Sequence, residues 1–518
     1  MDNNREYVAA RTQGGVLYES TGEYVLPDYN GDIKKILYTD ARVIPSASFQ
    51  SGDSIEYSGI VAYGVIYLDS EDMVSHAEFT TDFEGTVRCG AENLLEFDID
   101  TVMQGFTARP VGPRKLSARA TLISTLYMME NATLSSGNYP EGYEPEARMG
   151  KIKVRSALVD KTGEREYAEE LARLDGAMQD EVEILFTNCK VRGNGIVLSE
   201  GGAEYKGELD VIALVRQGDS VPFTVEKKIP FSEMFLSGDE KHQSLKDVRM
   251  CPNLNVTSVK CTVNADDDGV SITASVITEG KMRVLGNEEL NVMLDGYLTE
   301  CESENSYDCI DYTEQMPYEE INVKAGDTFS RASLGLDNTR NILLPSAEVK
   351  ISDVRLDSGI EIIGEVRFCG IACEINELGD TVYSQLKIAV PFKEYVNNSS
   401  KYPAKTHLEY TANLANLYIE LDNDSIRPMA EIIINLTPLC DKHECYVSDI
   451  NVTGEEIERD DSIVTVYYPR ENETLFDISK KYRVKALRVA SVNALTESVF
   501  AKSDEPICSL GVNKIIIR

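Results

Sequence analysis

The sequence predicts a mainly β protein: three repeated antiparallel sandwich-like β domains followed by a small βααβ module. Three observations predict this. One set of landmarks recurs three times at matching intervals. The runs between the landmarks alternate apolar and polar residues with period two, as half-buried strands do. From Ser462 onward the pattern changes to strand, helix, helix, strand.

Residues 1–30 are polar with a short apolar run, Tyr24-Val25-Leu26-Pro27, and read as an N-terminal arm. The first domain, 31–180, runs from Ile36-Leu37 to Ala41. Tyr57-Ser58-Gly59 then opens an apolar stretch to Leu68, Phe79 to Phe83 follows, and Leu116 to Leu122 closes. The second domain, 181–330, repeats this with Ile184-Leu185, Cys189, Tyr205-Lys206-Gly207, Ile229-Pro230-Phe231 and Val270 to Ile277. The third, 331–452, has Ile342-Leu343, Ala347, Ile362-Ile363-Gly364, Val390-Pro391-Phe392 and Met429 to Leu436. Ala41 to Gly59, Cys189 to Gly207 and Ala347 to Gly364 span 18, 18 and 17 positions. Gly59 to Phe83, Gly207 to Phe231 and Gly364 to Phe392 span 24, 24 and 28. Gly59 to Ala120, Gly207 to Ala274 and Gly364 to Ala430 span 61, 67 and 66. Copies of this length are whole domains rather than solenoid turns.

Within the copies, Leu209, Val211 and Ala213 alternate with more polar neighbours, and Val366, Phe368, Gly370 and Ala372 do the same. The glycine opening each central run predicts a bulge or a close backbone approach, and Pro230 and Pro391 suggest a strand edge or a bend. Between Thr162 and Gln179, Tyr167, Leu171 and Leu174 form an i, i+4, i+7 stripe, so a helix is expected to trail the first domain. Residues 453–461, Thr453-Gly454-Glu455-Glu456-Ile457-Glu458-Arg459-Asp460-Asp461, are charged and nearly free of apolar side chains. They read as an acidic linker that tethers the last module with some freedom.

In the last module, 462–518, Thr474 and Asp477 have the spacing of a capping box. Leu475, Ile478 and Tyr482 share one helix face, and Lys480, Lys481 and Arg483 lie near the C-terminal end, where positive charge suits the helix dipole. The flanking runs, rich in Val, Tyr and Ile, suit strands. Ser462 to Arg518 holds nine Lys or Arg against six Asp or Glu, a net of +3. The whole chain carries −36, which leaves −39 on the rest. A basic module on an acidic body suggests either an acidic partner or docking of the module on its own chain.

So acidic a chain repels nucleic acid and anionic lipid, so neither is an expected partner. No apolar run is long enough for membrane insertion, and the N-terminus has no signal-peptide shape, so a cytoplasmic location is expected. Eleven cysteines without regular spacing are expected to be free thiols. Cys369 and Cys373 share a strand face and read as packing residues. No catalytic constellation emerges: His76, His242, His407 and His443 are the only histidines, and neither a phosphate-cradling loop nor a nucleophile elbow is present. Cys440, His443 and Cys445 are the best metal ligands by type, but a structural zinc site needs a fourth ligand and tighter cysteine spacing. No metal, no cofactor and no enzymatic activity are expected.

The terminal stretch Asn472-Glu473-Thr474-Leu475-Phe476-Asp477-Ile478-Ser479-Lys480-Lys481-Tyr482, with Asn493 and the closing Gly511, Ile515 and Ile517, resembles a LysM module. The chain departs from that family's pattern in three places. Asn472 stands where the family has Gly, Phe476 where it has Trp, and the loop from Ala494 to Leu510 is long. The resemblance implies binding of N-acetylglucosamine glycans such as peptidoglycan through Asn472, Glu473, Thr474 and the segment from Asn493 to Thr496; the departures favour a protein ligand. The basic helix face, Lys480, Lys481, Lys485 and Arg488, completes the candidate binding set.

The repeats with one such module, Glu23-Tyr24-Val25-Leu26-Pro27-Asp28-Tyr29 running into Asp32-Ile33-Lys34-Lys35-Ile36-Leu37, the Pro-Phe strands, and Glu288-Glu289-Leu290 through Asp295-Gly296-Tyr297 are similar to the SPOCS-domain proteins of spore-formers. That resemblance implies a non-enzymatic adaptor of spore coat assembly on the mother-cell side of the forespore surface. Its module would bind a coat-scaffold ATPase.

Overall fold

The computed structural model describes residues 3–90, 94–199, 202–235, 245–266, 269–356, 359–376, 378–397, 402–403, 405–457, 463–495 and 505–518. The chain is mainly β, built from small antiparallel sheets. The first strand set comprises β1 (Asn4–Val25), β2 (Ile33–Ser51), β3 (Ser54–Asp69), β4 (Val74–Arg88), β5 (Leu94–Gly112) and β6 (Lys115–Ser135). They form two sheets, β2-β3-β4 and β1-β6-β5. Period two does the work here: Ile55, Tyr57, Val61, Tyr63, Val65 and Tyr67 leave one face of β3, and Leu116, Ala118, Ala120, Leu122 and Leu126 leave one face of β6. The two rows meet in a single core.

The second set comprises β7 (Pro145–Asp175), β8 (Val182–Ser199), β9 (Gly202–Gln217), β10 (Phe223–Phe235), β11 (Lys246–Asp266) and β12 (Gly269–Leu298). Its sheets are β8-β9-β10 and β7-β12-β11. In the third set the first strand is broken into β13 (Cys301–Gln315), β14 (Glu319–Gly326) and β15 (Phe329–Ser330), all paired with β20 (Ser425–Glu456), which also pairs β19 (Thr406–Leu421). A short helix, α1 (Arg331–Leu334), leads to the sheet of β16 (Thr339–Leu356), β17 (Ile360–Ile375) and β18 (Thr381–Val396). In every set, then, strands two to four form one sheet, and the first, last and fifth form the other.

The spaced landmarks are contacts. Gly59 sits directly opposite Phe83, Gly207 opposite Phe231, and Gly364 opposite Phe392. A Cβ at any of the three glycines would overlap the facing ring and a neighbouring carbonyl: at Gly364 it would lie 2.6 Å from Phe392 Cζ and 2.7 Å from Lys350 O. A bulge lies alongside each glycine, at Pro45/Ala47, Gly193/Gly195 and Ile351/Asp353. The glycine thus admits an aromatic ring across the ladder. Pro230 and Pro391 lie on the edge strands β10 and β18.

The Ile-Leu landmarks explain how the sets meet. Register shifts insert an extra residue at Leu37, Leu185 and around Leu344. Such bulges re-aim side chains. Leu37, Leu185, Leu343 and Leu344 converge in one core with Tyr38, Ile66, Phe186, Leu214, Ile371 and Tyr383, shared by all three sets. On the opposite sheets, Lys281 of β12 bonds Asp98 (3.0 Å) and Asp100 (2.6 Å) of β5, and Arg283 reaches the same carboxylates. Arg155 of β7 grips Glu409 of β19 with two bonds, 3.0 and 2.6 Å.

Several sequence expectations are corrected. Most of the expected arm, 1–30, is a strand: β1 pairs with β6 along its length, and its weak apolar signal reflects an edge strand that fully buries only Tyr7, Val8 and Ser20. Over most of the helix expected at Thr162–Gln179, residues 162–175 form the second half of β7, paired with β12. The register shifts there, with Glu170 opposite Thr273 and Ala172 opposite Ile272, so Leu171 is the extra residue of a bulge. That insertion turns an even strand spacing into the four-then-three spacing of Tyr167, Leu171 and Leu174, which imitates a helix.

Pairing also groups the chain differently from 31–180, 181–330 and 331–452: β7 belongs with β12, and β13 to β15 belong with β20. Of the expected linker 453–461, residues 453–456 continue β20 and the Ile457 N–H bonds Glu300 O at 2.7 Å. Residues 458–461 lie outside the described residues. Nor are all cysteines free: Cys309 and Cys445 are joined in a disulfide. Their cross-strand pairing is set by the fold and leaves no trace in sequence spacing.

Candidate partner-binding module and its docking face

The terminal module consists of β21 (Thr465–Tyr467), α2 (Leu475–Lys481), α3 (Ala486–Val492) and β22 (Ile515–Ile517), with β21 and β22 paired. Its core is Leu475, Ile478, Val484, Val489, Ala490, Ile507, Ile515 and Ile517. The capping box closes as the spacing predicts. The Asp477 N–H donates to Thr474 Oγ1 (3.1 Å), and the Thr474 N–H donates to Asp477 Oδ2 (3.0 Å). Burial raises the Asp477 carboxyl, but the Thr474 donors and the Arg148 guanidinium outweigh it and hold it below its ordinary value.

The module is not loosely tethered; its helices dock on β7, β12 and β13. Phe476 is only 5% exposed, yet it is not part of the module's own core. Its ring meets Tyr297 edge-on, with centroids 5.4 Å apart, and Arg148 covers it at 4.6 Å. The Tyr297 hydroxyl donates to Val484 O at 2.8 Å. Arg148 also bonds Thr474 Oγ1 and Asp477 Oδ1. Lys480 pairs with Asp295, Lys485 with Glu144 at 3.6 Å, and Arg483 donates to Ser303. The Glu146 carboxylate accepts the Ala486 N–H at the start of α3 (3.2 Å), where the dipole favours an anion.

The candidate binding residues therefore separate into groups. Lys480 and Lys485 face the chain's own acids. Thr474 is buried as the helix cap. Asn493 ties α3 to β22, donating to Val489 O (2.8 Å) and Ile516 O (2.6 Å) and accepting from the Ile516 N–H (2.7 Å). Arg488 is half-buried on α3. Asn472 is exposed beside Glu473, whose carboxylate accepts the Tyr467 hydroxyl and the Arg470 N–H, each at 2.8 Å. Burial raises Glu473, but those donors and the nearby cations leave it below its ordinary value. Lys481 stays exposed, 4.5 Å above the Tyr467 ring and bonded to its hydroxyl. Beside this rim, Val464, Val466 and Tyr468 are exposed at alternate positions.

The first loop and the segment before the last strand are bonded to each other: the Ile507 N–H donates to Glu473 O (2.9 Å), and Thr474 bridges to Pro506. Thr496 and His242 lie outside the described residues. Sequence reasoning missed Glu144, Glu146, Arg148 and Ser303; the opposite charges of module and body were a signal for the two glutamates, and nothing local marked Arg148 or Ser303. Among the described residues no helix is long and apolar enough to cross a membrane. No protein-family model matches the chain, and no curated protein matches it significantly.

Proposed function

We propose that the chain is a non-enzymatic adaptor of spore coat assembly. In this reading it has three SPOCS-type sandwich domains as a rigid body and a LysM-type module that binds a coat-scaffold ATPase in the mother-cell cytoplasm. The observation that carries the reading is the docked module. Half of its basic face, Lys485 and Lys480, is paired with Glu144 and Asp295, while Lys481 stays exposed. The rim left accessible joins a cation, Lys481, to the polar Asn472 and Glu473 and to the apolar row Val464, Val466 and Tyr468. A mixed apolar and charged rim suits a protein surface. Direct bonding between the Glu473 loop and Pro506–Ile507 favours a protein over a peptidoglycan strand, since it occupies backbone groups that a sugar would need.

The test is a side-by-side titration of the full chain with the purified scaffold ATPase and with N-acetylglucosamine oligomers. Saturable binding to the ATPase alone supports the adaptor. Saturable glycan binding without ATPase binding replaces it with the peptidoglycan reading.

A further inference from the structure

We propose that Cys309, Cys445 and His443 form a zinc-class metal site that exists only when the Cys309–Cys445 disulfide is reduced. Cys309 of β13 and Cys445 of β20 are directly opposite, with Cα atoms 4.0 Å apart. The next same-face pair along the ladder is Asp311 opposite His443. The two cysteine sulfurs and a His443 ring nitrogen all lie within 4.8 Å of one another. His443 Nε2 is 3.8 Å from Cys445 Sγ. A tetrahedral zinc with bonds of about 2.3 Å to sulfur and about 2.0–2.1 Å to nitrogen has an S···N edge of about 3.6 Å. The His443–Cys445 edge already matches, and once the disulfide is reduced the two sulfurs must part to about 3.8 Å to close around an ion.

Asp311 supplies the support such a site requires. Its Oδ1 lies 2.8 Å from His443 Nδ1, so Nδ1–H donates to the carboxylate and the Nε2 lone pair faces the sulfurs. Cys440, which the sequence grouped with His443 and Cys445, takes no part. It lies an odd number of residues from both, on the opposite face of β20, and is buried. All three ligands are exposed, so an ion and a reductant can both reach them, and the fourth position is open to water. Two thiolates and an imidazole suit zinc better than hard cations such as magnesium.

The oxidised and metal-bound states exclude each other. A small dithiol reduces the pair by exchange: its two sulfurs become a disulfide, and its two protons and two electrons convert Cys309 and Cys445 to thiols. Binding a divalent ion then releases those two protons as both sulfurs coordinate as thiolates.

The experiment uses the full chain, reduced with a phosphine that is then removed under anaerobic conditions, and Co²⁺ as a coloured stand-in for zinc. The expected result is a thiolate-to-cobalt charge-transfer band saturating at one equivalent. The oxidised chain and a Cys309→Ser/Cys445→Ser variant should lack the band. Asp311→Asn should weaken binding by about 10- to 100-fold. His443→Ala, which alters one exposed side chain, should shift the band and weaken binding at least as much, so the test survives if the double serine variant fails to fold. Absence of the band in the reduced wild type, its full persistence in the double serine variant, or unchanged Co²⁺ affinity in His443→Ala overturns the proposal.

Discussion

Phe476→Ala should release the terminal module without unfolding it. Phe476 is buried between Tyr297 and Arg148, both on the body, and lies outside the module's own core. The edge-on aromatic pair contributes about 0.5–1.5 kcal/mol. The guanidinium over the ring adds about 0.5–2 kcal/mol, and burying the ring about 1.5–3 kcal/mol. These terms overlap, so about 3 kcal/mol is a reasonable net loss, on the order of a 100-fold shift in the docking equilibrium. Two amides separate undocking from unfolding. The Ala486 N–H bonds Glu146 across the interface, whereas the Ile516 N–H bonds Asn493 inside the module. Native-state hydrogen exchange should show the Ala486 amide opening about 100-fold more often in Phe476→Ala, with Ile516 unchanged. Tyr297→Phe, which removes the hydroxyl bonded to Val484 O and keeps the ring, should move Ala486 by about tenfold or less. Equal acceleration of both amides would mean that Phe476 holds the module together rather than holding it in place, and the docking account would be wrong.

Further outcomes are expected elsewhere in the chain. Gly364→Ala forces a Cβ into the Phe392 ring and Lys350 O, so it should destabilise the chain by about 1–3 kcal/mol in denaturant titration, whereas Gly163→Ala, with open space around it, should not. Asp100→Asn leaves Lys281 and Arg283 with the Asp98 carboxylate, the Ile99 carbonyl and the Tyr127 ring, and its cost should fall at the lower end of the roughly 3–5 kcal/mol seen when a buried pair loses one partner. Burial raises the Asp100 carboxyl, but Lys281 and Arg283 outweigh it, so its folded pKa is depressed. Its stabilisation is therefore fully present above the unfolded value of about 3.9 and lost as pH falls through the lower folded value, and Asp100→Asn should flatten that acid limb. Asp477 has the same sign, so protection of the Ala486 amide should also fall in acid below the ordinary carboxylate range.

What the sequence disclosed depended on distance along the chain. Gly59 and Phe83, Gly207 and Phe231, and Gly364 and Phe392 were visible as spacings because each pair faces across adjacent strands of one sheet. The Thr474–Asp477 cap was visible because it is local. The strand over Thr162–Asp175 was misread because the bulge at Leu171 gave it a helical period, and β1 because its outer face is polar. The pairing of Cys309 with Cys445, 136 residues apart, and the seating of Phe476 on Tyr297 depend on long-range geometry that no local pattern encodes. The same holds for the candidate site. Lys480, Lys481 and Lys485 look equivalent as a basic run, yet the fold pairs Lys480 and Lys485 with the chain's own acids and sets Lys481 over the Tyr467 ring.

That division gives the most direct test of the adaptor account. Binding of the scaffold ATPase to the full chain would be measured by calorimetry for wild type, Lys481→Glu and Lys480→Glu/Lys485→Glu. The account predicts at least tenfold weaker binding for Lys481→Glu, while the double variant, which loosens only the docked side, binds as well as wild type or better. Loss of binding in the double variant with Lys481→Glu unaffected would place the partner on the docked face and contradict it.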